Sequence, residues 1–168
     1  PFKKLIIPFL DELHSTAKET ESVNTLFKVK NKVVGYNTDE TGFAETMWGL
    51  FQEKDSMVSQ PLGGKNIFVL GAGGVTSSII YALQNKGAKI FLSNRTKKKA
   101  EELKKKYKKI EVLDWGKRPS ACDIVINTTS IGLTKDEKIN LDFSDCSGDK
   151  NKLFYDLIYN PKETNFLK

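Results

Sequence analysis

The feature that most constrains the fold is an apolar run that ends in a glycine-rich turn. The run is Asn66-Ile67-Phe68-Val69-Leu70, and Gly71-Ala72-Gly73-Gly74-Val75 follows it directly. A buried strand that enters a helix through such a turn leaves backbone N–H groups free for a pyrophosphate. The turn departs from G-x-G-x-x-G/A because Thr76 takes the place of the last small residue. The pattern predicts a dinucleotide site, and a tight turn in an ordinary α/β domain is the alternative.

A second apolar run, Ile90-Phe91-Leu92-Ser93, ends in residues that bear on the choice of dinucleotide. NAD-binding units usually carry Asp or Glu at this point, to hold the 2′-hydroxyl of the adenosine ribose. This chain instead has Asn94-Arg95-Thr96 followed by Lys97, Lys98 and Lys99. A carboxylate would repel a 2′-phosphate, whereas guanidinium and ammonium groups attract it. The sequence therefore predicts NADP(H) as the cofactor.

Strands and helices are predicted to alternate from the glycine turn onward. Thr96 is expected to cap a helix that buries Ala100, Leu103 and Tyr107. The alternation predicts an α/β fold with a doubly wound parallel sheet, a Rossmann domain, whose ligands bind at the carboxyl ends of the strands. Besides the strands on either side of the first helix, 66–70 and 89–93, further strands are predicted over residues 110–113, 123–126 and 153–158.

The start of the chain is predicted to hold a helix over residues 8–21, with His14 on its surface. A hairpin follows, in which strands 25–29 and 33–35 flank the turn Lys30-Asn31-Lys32. These elements predict a second, smaller α/β region ahead of the dinucleotide unit.

A further helix is predicted over residues 39–52, before a polar linker over residues 53–65. Asp39 or Thr41 lies near its amino end, and local sequence alone favours a capping role for Asp39. The apolar residues that share one face of this helix are Phe43, Met47, Leu50 and Phe51.

The net charge of +6 raises nucleic-acid binding as an alternative function. Nearly all of the positive charge is lysine, and aromatic residues do not interleave with it as a stacking surface requires. A solvated helix face explains the cluster more simply. The lysines of this cluster are Lys104, Lys105, Lys106, Lys108 and Lys109.

Metal and membrane functions find little support in the sequence. Cys122, Cys146 and the single His14 do not form a zinc ligand set, so we expect no metal and two thiols that are packed or idle. No run approaches the ~20 apolar residues that span a bilayer, and no signal-peptide pattern opens the chain. We therefore expect a cytoplasmic protein with no membrane or nucleic-acid partner.

Short motifs that occur in order along the whole chain resemble those of shikimate dehydrogenases. The resemblance implies NADPH-dependent reduction of 3-dehydroshikimate to shikimate, in the pathway to aromatic amino acids. The motifs are Pro1-Phe2-Lys3, Val23-Asn24-Thr25, Gly35-Tyr36-Asn37-Thr38-Asp39-Glu40-Thr41-Gly42, Gly71-Ala72-Gly73-Gly74, Asn94-Arg95-Thr96, Asn127-Thr128-Thr129-Ser130-Ile131-Gly132 and Tyr159-Asn160-Pro161-Lys162-Glu163-Thr164.

The resemblance also implies roles for individual residues. Lys3 matches the family's catalytic lysine and Asp39 its partner aspartate, and both of them, with Asn24 and Tyr159, are implied to bind substrate. For Tyr159 a packed aromatic at a strand end is the alternative. Residues 127–132 should line the cofactor cleft. The implied cofactor-binding residues are Gly71, Ala72, Gly73, Gly74, Val75, Asn94, Arg95, Thr96, Lys99 and Leu157.

Compared with the family pattern, the chain is expected to be truncated at both ends. We predict a partial substrate domain over residues 1–38 and an NADP-binding Rossmann domain over residues 39–168, with a homodimer as one possible assembly. Alone, this chain is expected to bind NADP(H) weakly and to turn over little or no shikimate. The alternatives are a quinate/shikimate dehydrogenase that uses NAD(P) and a non-catalytic nucleotide-binding module.

Overall fold

A computed structural model describes residues 2–51, 62–107, 109–134, 137–144 and 152–168. The chain divides into two compact units. The first unit comprises Pro1–Gly63 and Gly74–Gly87, and the second comprises Gly64–Gly73 and Ala88–Lys168. The predicted boundary between residues 38 and 39 stays a prediction. Residues 53–61 of the predicted linker lie outside the described residues.

The first unit contains a three-stranded sheet and three α-helices. The sheet order is β1-β3-β2, in which β1 runs parallel and β2 antiparallel to β3. The predicted hairpin is confirmed, with its second strand two residues longer than expected. The elements in chain order are a 3-10 helix at Ile7–Phe9, β1 Glu12–Leu13, α1 Ser15–Thr20, β2 Thr25–Val29, β3 Lys32–Tyr36, α2 Asp39–Phe51 and α3 Thr76–Gln84.

The helix predicted over residues 8–21 is confirmed only over Ser15–Thr20, because strand pairing interrupts its first half. Glu12 lies opposite Val34 in the ladder between β1 and β3. The backbone N–H of His14 donates to the carbonyl of Gly35 at 2.9 Å, which continues the same pairing. Hydrogen bonds to a strand some 20 residues away therefore outweigh the local helical pattern.

His14 lies just before α1 and caps it. Its Nδ1 accepts a hydrogen bond from the backbone N–H of Thr16 at 3.4 Å. The imidazole also stacks on the ring of Tyr36, with the ring centroids 4.3 Å apart. The expected place on a helix surface is thus corrected to a cap at the helix start.

Helices α2 and α3 pack against each other within the first unit. Phe43 and Met47 of α2 are buried as predicted, whereas Leu50 is exposed. Trp48 lies under the ammonium group of Lys86, whose Nζ is 3.9 Å from the ring centroid. Trp48, which is 36% exposed, therefore lies beside the buried residues of the predicted stripe, and the side chain of Phe51 is outside the described part of the structure.

The second unit contains a five-stranded sheet that confirms the predicted doubly wound topology. All four strand pairs are parallel and the order is β6-β5-β4-β7-β8. The apolar strands β4, β5 and β7 lie in its centre and are almost wholly buried, as central parallel strands are. The elements are β4 Asn66–Leu70, β5 Lys89–Ser93, α4 Lys97–Lys106, β6 Ile110–Leu113, β7 Ile124–Asn127 and β8 Leu153–Asp156.

The order of this sheet reverses at β4. The chain first moves outward from β4 to β5 and β6, then returns to the other side of β4 with β7 and β8. Loops that follow β4 and β7 therefore leave the sheet in opposite directions, and ligands of such sheets bind in the crevice between them. The glycine turn follows β4 at this point.

Three smaller expectations can be compared with the second unit. Thr96 stands at the position before α4, but its side chain makes no capping hydrogen bond, so that predicted role is wrong. The thiol of Cys122 is buried, as expected, and Cys146 lies outside the described residues. Strand β8 ends at Asp156, because the carboxylate of Asp156 accepts a hydrogen bond from the N–H of Ile158 and turns the chain.

The described residues contain neither a membrane-spanning helix nor a cluster of metal ligands. No described helix has both the length and the apolar character that crossing a membrane requires. Nor does any group of three or more His, Cys, Asp or Glu in that part of the chain stand where it could hold a metal ion.

Candidate active site

The predicted pair of Lys3 and Asp39 is formed in the first unit. Lys3 Nζ donates to Asp39 Oδ2, across 36 positions of sequence. The side chains are 35% and 23% exposed, so a molecule in solvent can reach both. The carbonyl of Lys3 also accepts a hydrogen bond from the N–H of Val23 at 2.9 Å, which fixes the backbone that carries the lysine.

Asn24 joins this pair from the start of the hairpin. Its Nδ2 donates to Asp39 Oδ1 at 2.8 Å, so each oxygen of the carboxylate has its own donor. Its Oδ1 accepts a hydrogen bond from the backbone N–H of Thr38 at 3.1 Å. The structure thus brings together three of the four predicted substrate residues, Lys3, Asn24 and Asp39, in one polar cluster.

Asp39 does not cap α2, although local sequence favours that role. It is the first residue of the helix, and its side chain turns toward Lys3 and Asn24. The cap is made by Asn37, whose Oδ1 accepts a hydrogen bond from the backbone N–H of Asp39 at 2.9 Å. The carboxylate of Asp39 is therefore available for charge interactions instead of satisfying the helix end.

Gly71, at the first position of the glycine turn, is required by the fold of the second unit. Its φ is +108°, a conformation that side-chain-bearing residues rarely adopt. An added Cβ would lie 2.7 Å from Oγ1 of Thr128 and 3.1 Å from the backbone carbon of Thr128. The turn consequently passes directly over the end of β7.

Gly73 and Gly74 have no such packing reason to be glycine. The nearest atom to an added Cβ on Gly73 is the carbonyl oxygen of Thr128 at 4.0 Å, and around Gly74 nothing lies within 4 Å. Neither residue has a positive φ. Val75 then precedes α3 without a side-chain cap. Glycines that packing does not require leave the main chain uncovered, which suits a ligand that binds close to the backbone.

Asn94 links the glycine turn to the end of β5 within the second unit. Its Oδ1 accepts a hydrogen bond from the backbone N–H of Ala72 at 3.0 Å. Its Nδ2 donates to the carbonyl oxygen of Thr96 at 2.8 Å. The amide that stands in place of the usual carboxylate therefore holds two turns together.

The positive charges after β5 are not equivalent. Lys97 Nζ lies 2.5 Å from Asp114 Oδ1, and this hydrogen bond and charge raise the pKa of Lys97 and lower the pKa of Asp114. Within the described residues, Arg95, Lys98 and Lys99 are exposed and have no ion pair. The charge available to an anion in solution comes from these three residues.

The ends of β7 and β8 are joined by a buried polar network. Asn127 is fully buried, and its Nδ2 donates to Oδ1 of Asp156 at 3.1 Å. The other oxygen of Asp156 accepts from Oγ1 of Thr164 at 2.5 Å. The N–H of Leu157 donates to the carbonyl of Asn127 at 3.1 Å. This network fixes the segment that carries Leu157 and, two residues on, Tyr159.

Tyr159 belongs to the second unit and is 89% exposed. A packed aromatic at a strand end, which was the alternative for this residue, is excluded by that exposure. Its phenol is free to meet a molecule from solvent.

Comparison with known proteins gives the family. The sequence model described as "Shikimate / quinate 5-dehydrogenase" matches residues 53–163, about two thirds of the chain. The chain belongs to the shikimate/quinate 5-dehydrogenase family. The resemblance seen in the motifs is thereby confirmed.

Individual members of the family match over the whole chain. A shikimate dehydrogenase (NADP(+)) of Pelagibacter ubique is 50% identical across all of this chain and 60% of its own length. The crystal structure of shikimate dehydrogenase from Aquifex aeolicus superposes with a TM-score of 0.83 at 40% identity, over 99% of this chain and 58% of that one. The crystal structure of the Thermus thermophilus enzyme, in complex with NADP(H) and shikimate, superposes with a TM-score of 0.78 at 27% identity. The match covers 99% of this chain and 59% of that one.

This family member thus spans about 60% of the length of the curated relatives that it matches.

Two residues of the chain have roles that sequence reasoning missed. The roles of Asn37 and Asp156 rest on hydrogen bonds to residues distant along the chain. The one local signal is an Asn or Asp directly at the end of an apolar strand, where a polar residue often organises the following turn.

Proposed function

We propose that this chain carries the catalytic pair and the NADP(H) site of a shikimate dehydrogenase, which reduces 3-dehydroshikimate to shikimate. The observation that carries the proposal is the ion pair of Lys3 and Asp39, reachable from solvent and joined by Asn24, in a member of this family. An ordinary surface ion pair would contribute at most about 1 kcal/mol to stability, so stability alone is a weak reason for this arrangement.

Lys3 is proposed to act as the general acid of the reduction. When bound, NADPH supplies the hydride that adds to the ketone carbon. The carbonyl oxygen then gains negative charge, and Lys3 Nζ donates the proton that forms the new O–H bond. Proton donation by a positioned group contributes about 10²- to 10⁴-fold in rate.

Asp39 and Asn24 are proposed to hold both the lysine and the substrate. The carboxylate of Asp39 holds the ammonium group of Lys3 in place, and it accepts a hydrogen bond from a substrate hydroxyl. The amide of Asn24 offers a donor and an acceptor to a polyhydroxylated acid. Tyr159 is proposed as a further substrate ligand through its exposed phenol.

The residues present fit a bound NADP(H). The pyrophosphate is assigned to residues 71–75, where Gly73 and Gly74 leave the backbone bare for no packing reason. The adenosine 2′-phosphate is assigned to Arg95, Thr96 and Lys99, with Asn94 holding their turn. The N–H of Leu157 is already used by Asn127, so its carbonyl is the group assigned to the carboxamide of the nicotinamide.

The choice of NADP(H) over NAD rests on Asn94 and Arg95. A quinate/shikimate dehydrogenase that prefers NAD is the nearest alternative, and the family description includes quinate. An NAD site would be expected to have a carboxylate where Asn94 stands. The absence of that charge beside the exposed guanidinium of Arg95 favours the 2′-phosphate. The expected dimer and cytoplasmic location stay predictions.

The cofactor assignment is tested by titrating the chain with NADP⁺ and NAD⁺, for the wild type and for Arg95→Ala. We expect tighter binding of NADP⁺, and a loss of about tenfold or more in Arg95→Ala, because a charge-assisted hydrogen bond is worth about 1.5–3 kcal/mol. Binding of NAD⁺ should not change. Lys105→Ala is the matched control, since it removes an equal charge from the far end of α4. Equal affinity for the two dinucleotides, or equal losses in both variants, would contradict the assignment.

The substrate assignment is tested by the rate at which Lys3 is acetylated by an amine-reactive ester, read by mass spectrometry. Shikimate should slow the acetylation of Lys3 and leave that of its neighbour Lys4 unchanged, since Lys4 is exposed and has no ion pair among the described residues. Stronger protection by quinate would favour the alternative substrate. No protection by either acid would overturn the assignment of Lys3 to this chemistry.

A further inference from the structure

Asn37 is a buried amide that the proposed chemistry does not use. It is 2% exposed and lies between β3 and α2, two residues before Asp39. Both protons of its amide are donated, one to Oγ1 of Thr20 and one to Oγ of Ser78, each at 2.8 Å. Its Oδ1 accepts the backbone N–H of Asp39. With these contacts made, and with so little exposure, Asn37 is not available to bind a substrate.

The orientation of this amide is set by its surroundings. The hydroxyl of Thr20 donates its proton to the carbonyl of Thr16 at 2.6 Å, so toward Asn37 it can only accept. The amide nitrogen of Asn37 must therefore face Thr20, which turns the amide oxygen toward the N–H of Asp39. Because Thr20 belongs to α1 and Ser78 to α3, two helices of the first unit hold the amide in this one orientation.

The contact with Asp39 determines where α2 begins. An Asn side chain that accepts the N–H two residues later makes a turn that mimics a backbone turn. Here that turn satisfies one of the donors at the start of the helix, which leaves the carboxylate of Asp39 free to project toward Lys3. Without it, the N–H of Asp39 would lose its acceptor, and the backbone that carries the carboxylate would no longer be held in this position.

We propose that Asn37 is a positioning residue, which keeps the carboxylate of Asp39 on Lys3 by holding the backbone N–H of Asp39. The proposal rests on the proposed function only in treating Lys3 and Asp39 as the catalytic pair. The contact itself exists without substrate or cofactor, so it can be tested separately.

The test measures the acetylation rate of Lys3 in the free chain, with no ligand present. Asp39→Ala removes the ion pair altogether and so gives the largest rise in the acetylation rate of Lys3. We expect a rise of about two- to fivefold, the range for an ion pair of modest strength. Asn37→Ala should give at least half of that rise. Asn37→Ser keeps an acceptor for the N–H of Asp39, although a weaker one, and should restore part of the wild-type protection.

Two controls and two further variants separate positioning from general unfolding. Lys32, which pairs with Glu12 in the same unit, should keep its rate in every variant. Asn31→Ala removes an amide from the exposed hairpin turn and should leave Lys3 unchanged. If Asn37→Ala raises the acetylation rates of Lys3 and Lys32 together, the unit has unfolded. Asn37→Ser and Ser78→Ala then decide the question, because positioning predicts that only the rate of Lys3 rises.

A rate for Lys3 that stays at the wild-type value in the Asn37 variants, while Asp39→Ala raises it, would overturn the proposal. So would an unchanged rate in Asp39→Ala itself, because the pair would then not form in solution. Failure of shikimate to protect Lys3 would instead count against the proposed function and would leave the role of Asn37 standing.

Discussion

The two units hold their candidate site residues in different ways. In the second unit, β4, β5 and β7 are almost completely buried, and the residues at their ends inherit their positions from the sheet. In the first unit, β2 leaves the side chains of Leu26, Phe27 and Val29 about half exposed. There the cluster of Lys3, Asn24 and Asp39 depends on polar side-chain contacts. Buried apolar strands place the residues of one site, with side-chain hydrogen bonds added at the strand ends, whereas the residues of the other site meet through polar side-chain contacts.

The strongest test of this contrast is Gly71→Ala in the second unit. The change forces a side chain into a positive φ and places its Cβ 2.7 Å from Thr128 Oγ1. We expect a loss of about 3–4 kcal/mol in the free energy of unfolding, measured by urea titration. Gly74→Ala is the matched control, because nothing lies within 4 Å of its added Cβ. It should leave stability within about 0.5 kcal/mol and weaken only NADP⁺ binding.

Equal destabilisation by the two glycine substitutions would mean that the fold requires both glycines alike. The distinction between Gly71, which the fold requires, and Gly73 and Gly74, which are assigned to the ligand, would then be wrong.

A matched pair of leucines compares the two sheets directly. Leu92 in β5 is fully buried, whereas Leu26 in β2 is 50% exposed. Leu92→Ala should lower the free energy of unfolding by about 3 kcal/mol, because it removes buried atoms and leaves a cavity. Leu26→Ala should lower it by less than about 1 kcal/mol. The measurement is the urea midpoint of each variant, and similar losses would show that β2 is covered in solution.

The smallest effect on stability is expected from breaking the ion pair of Lys97 and Asp114. This pair is a polar contact in the second unit, whose central strands are buried. The hydrogen bond and charge of Lys97 lower the pKa of Asp114 below its ordinary value. Such a carboxyl adds stability at pH values above its unfolded-state pKa, and this contribution is lost as the pH falls through the lower folded-state pKa. The wild type should therefore melt slightly above Asp114→Asn near neutral pH, and the difference should vanish in strong acid.

Thermal melting from about pH 6 to about pH 2 measures this difference, since the range brackets the ordinary Asp pKa. Both side chains are exposed to solvent, so about 1 M salt should also remove the difference. A gap in melting temperature that widens in acid would contradict the direction of the pKa shift.

The same contrast explains what the sequence could predict. The strands of the second unit are continuous apolar runs between glycine and polar turns, and that local pattern is sufficient to place them. The first half of the helix predicted over residues 8–21 is wrong, because β1 forms only through pairing with β3, which no local pattern contains. The local prediction favoured Asp39 as a cap for a similar reason. Asn37 is fixed by partners 17 and 41 positions away, and these assign the cap to it instead.

The double contact of Asn94 limits how the preference for a dinucleotide could evolve. Replacing Asn94 by Asp would keep an acceptor for the N–H of Ala72 but would set a second oxygen against the carbonyl of Thr96. The single substitution that would suit a free 2′-hydroxyl therefore strains the turn that presents Arg95. A change of dinucleotide preference is therefore expected to need compensating changes across residues 94–96 and not at Asn94 alone.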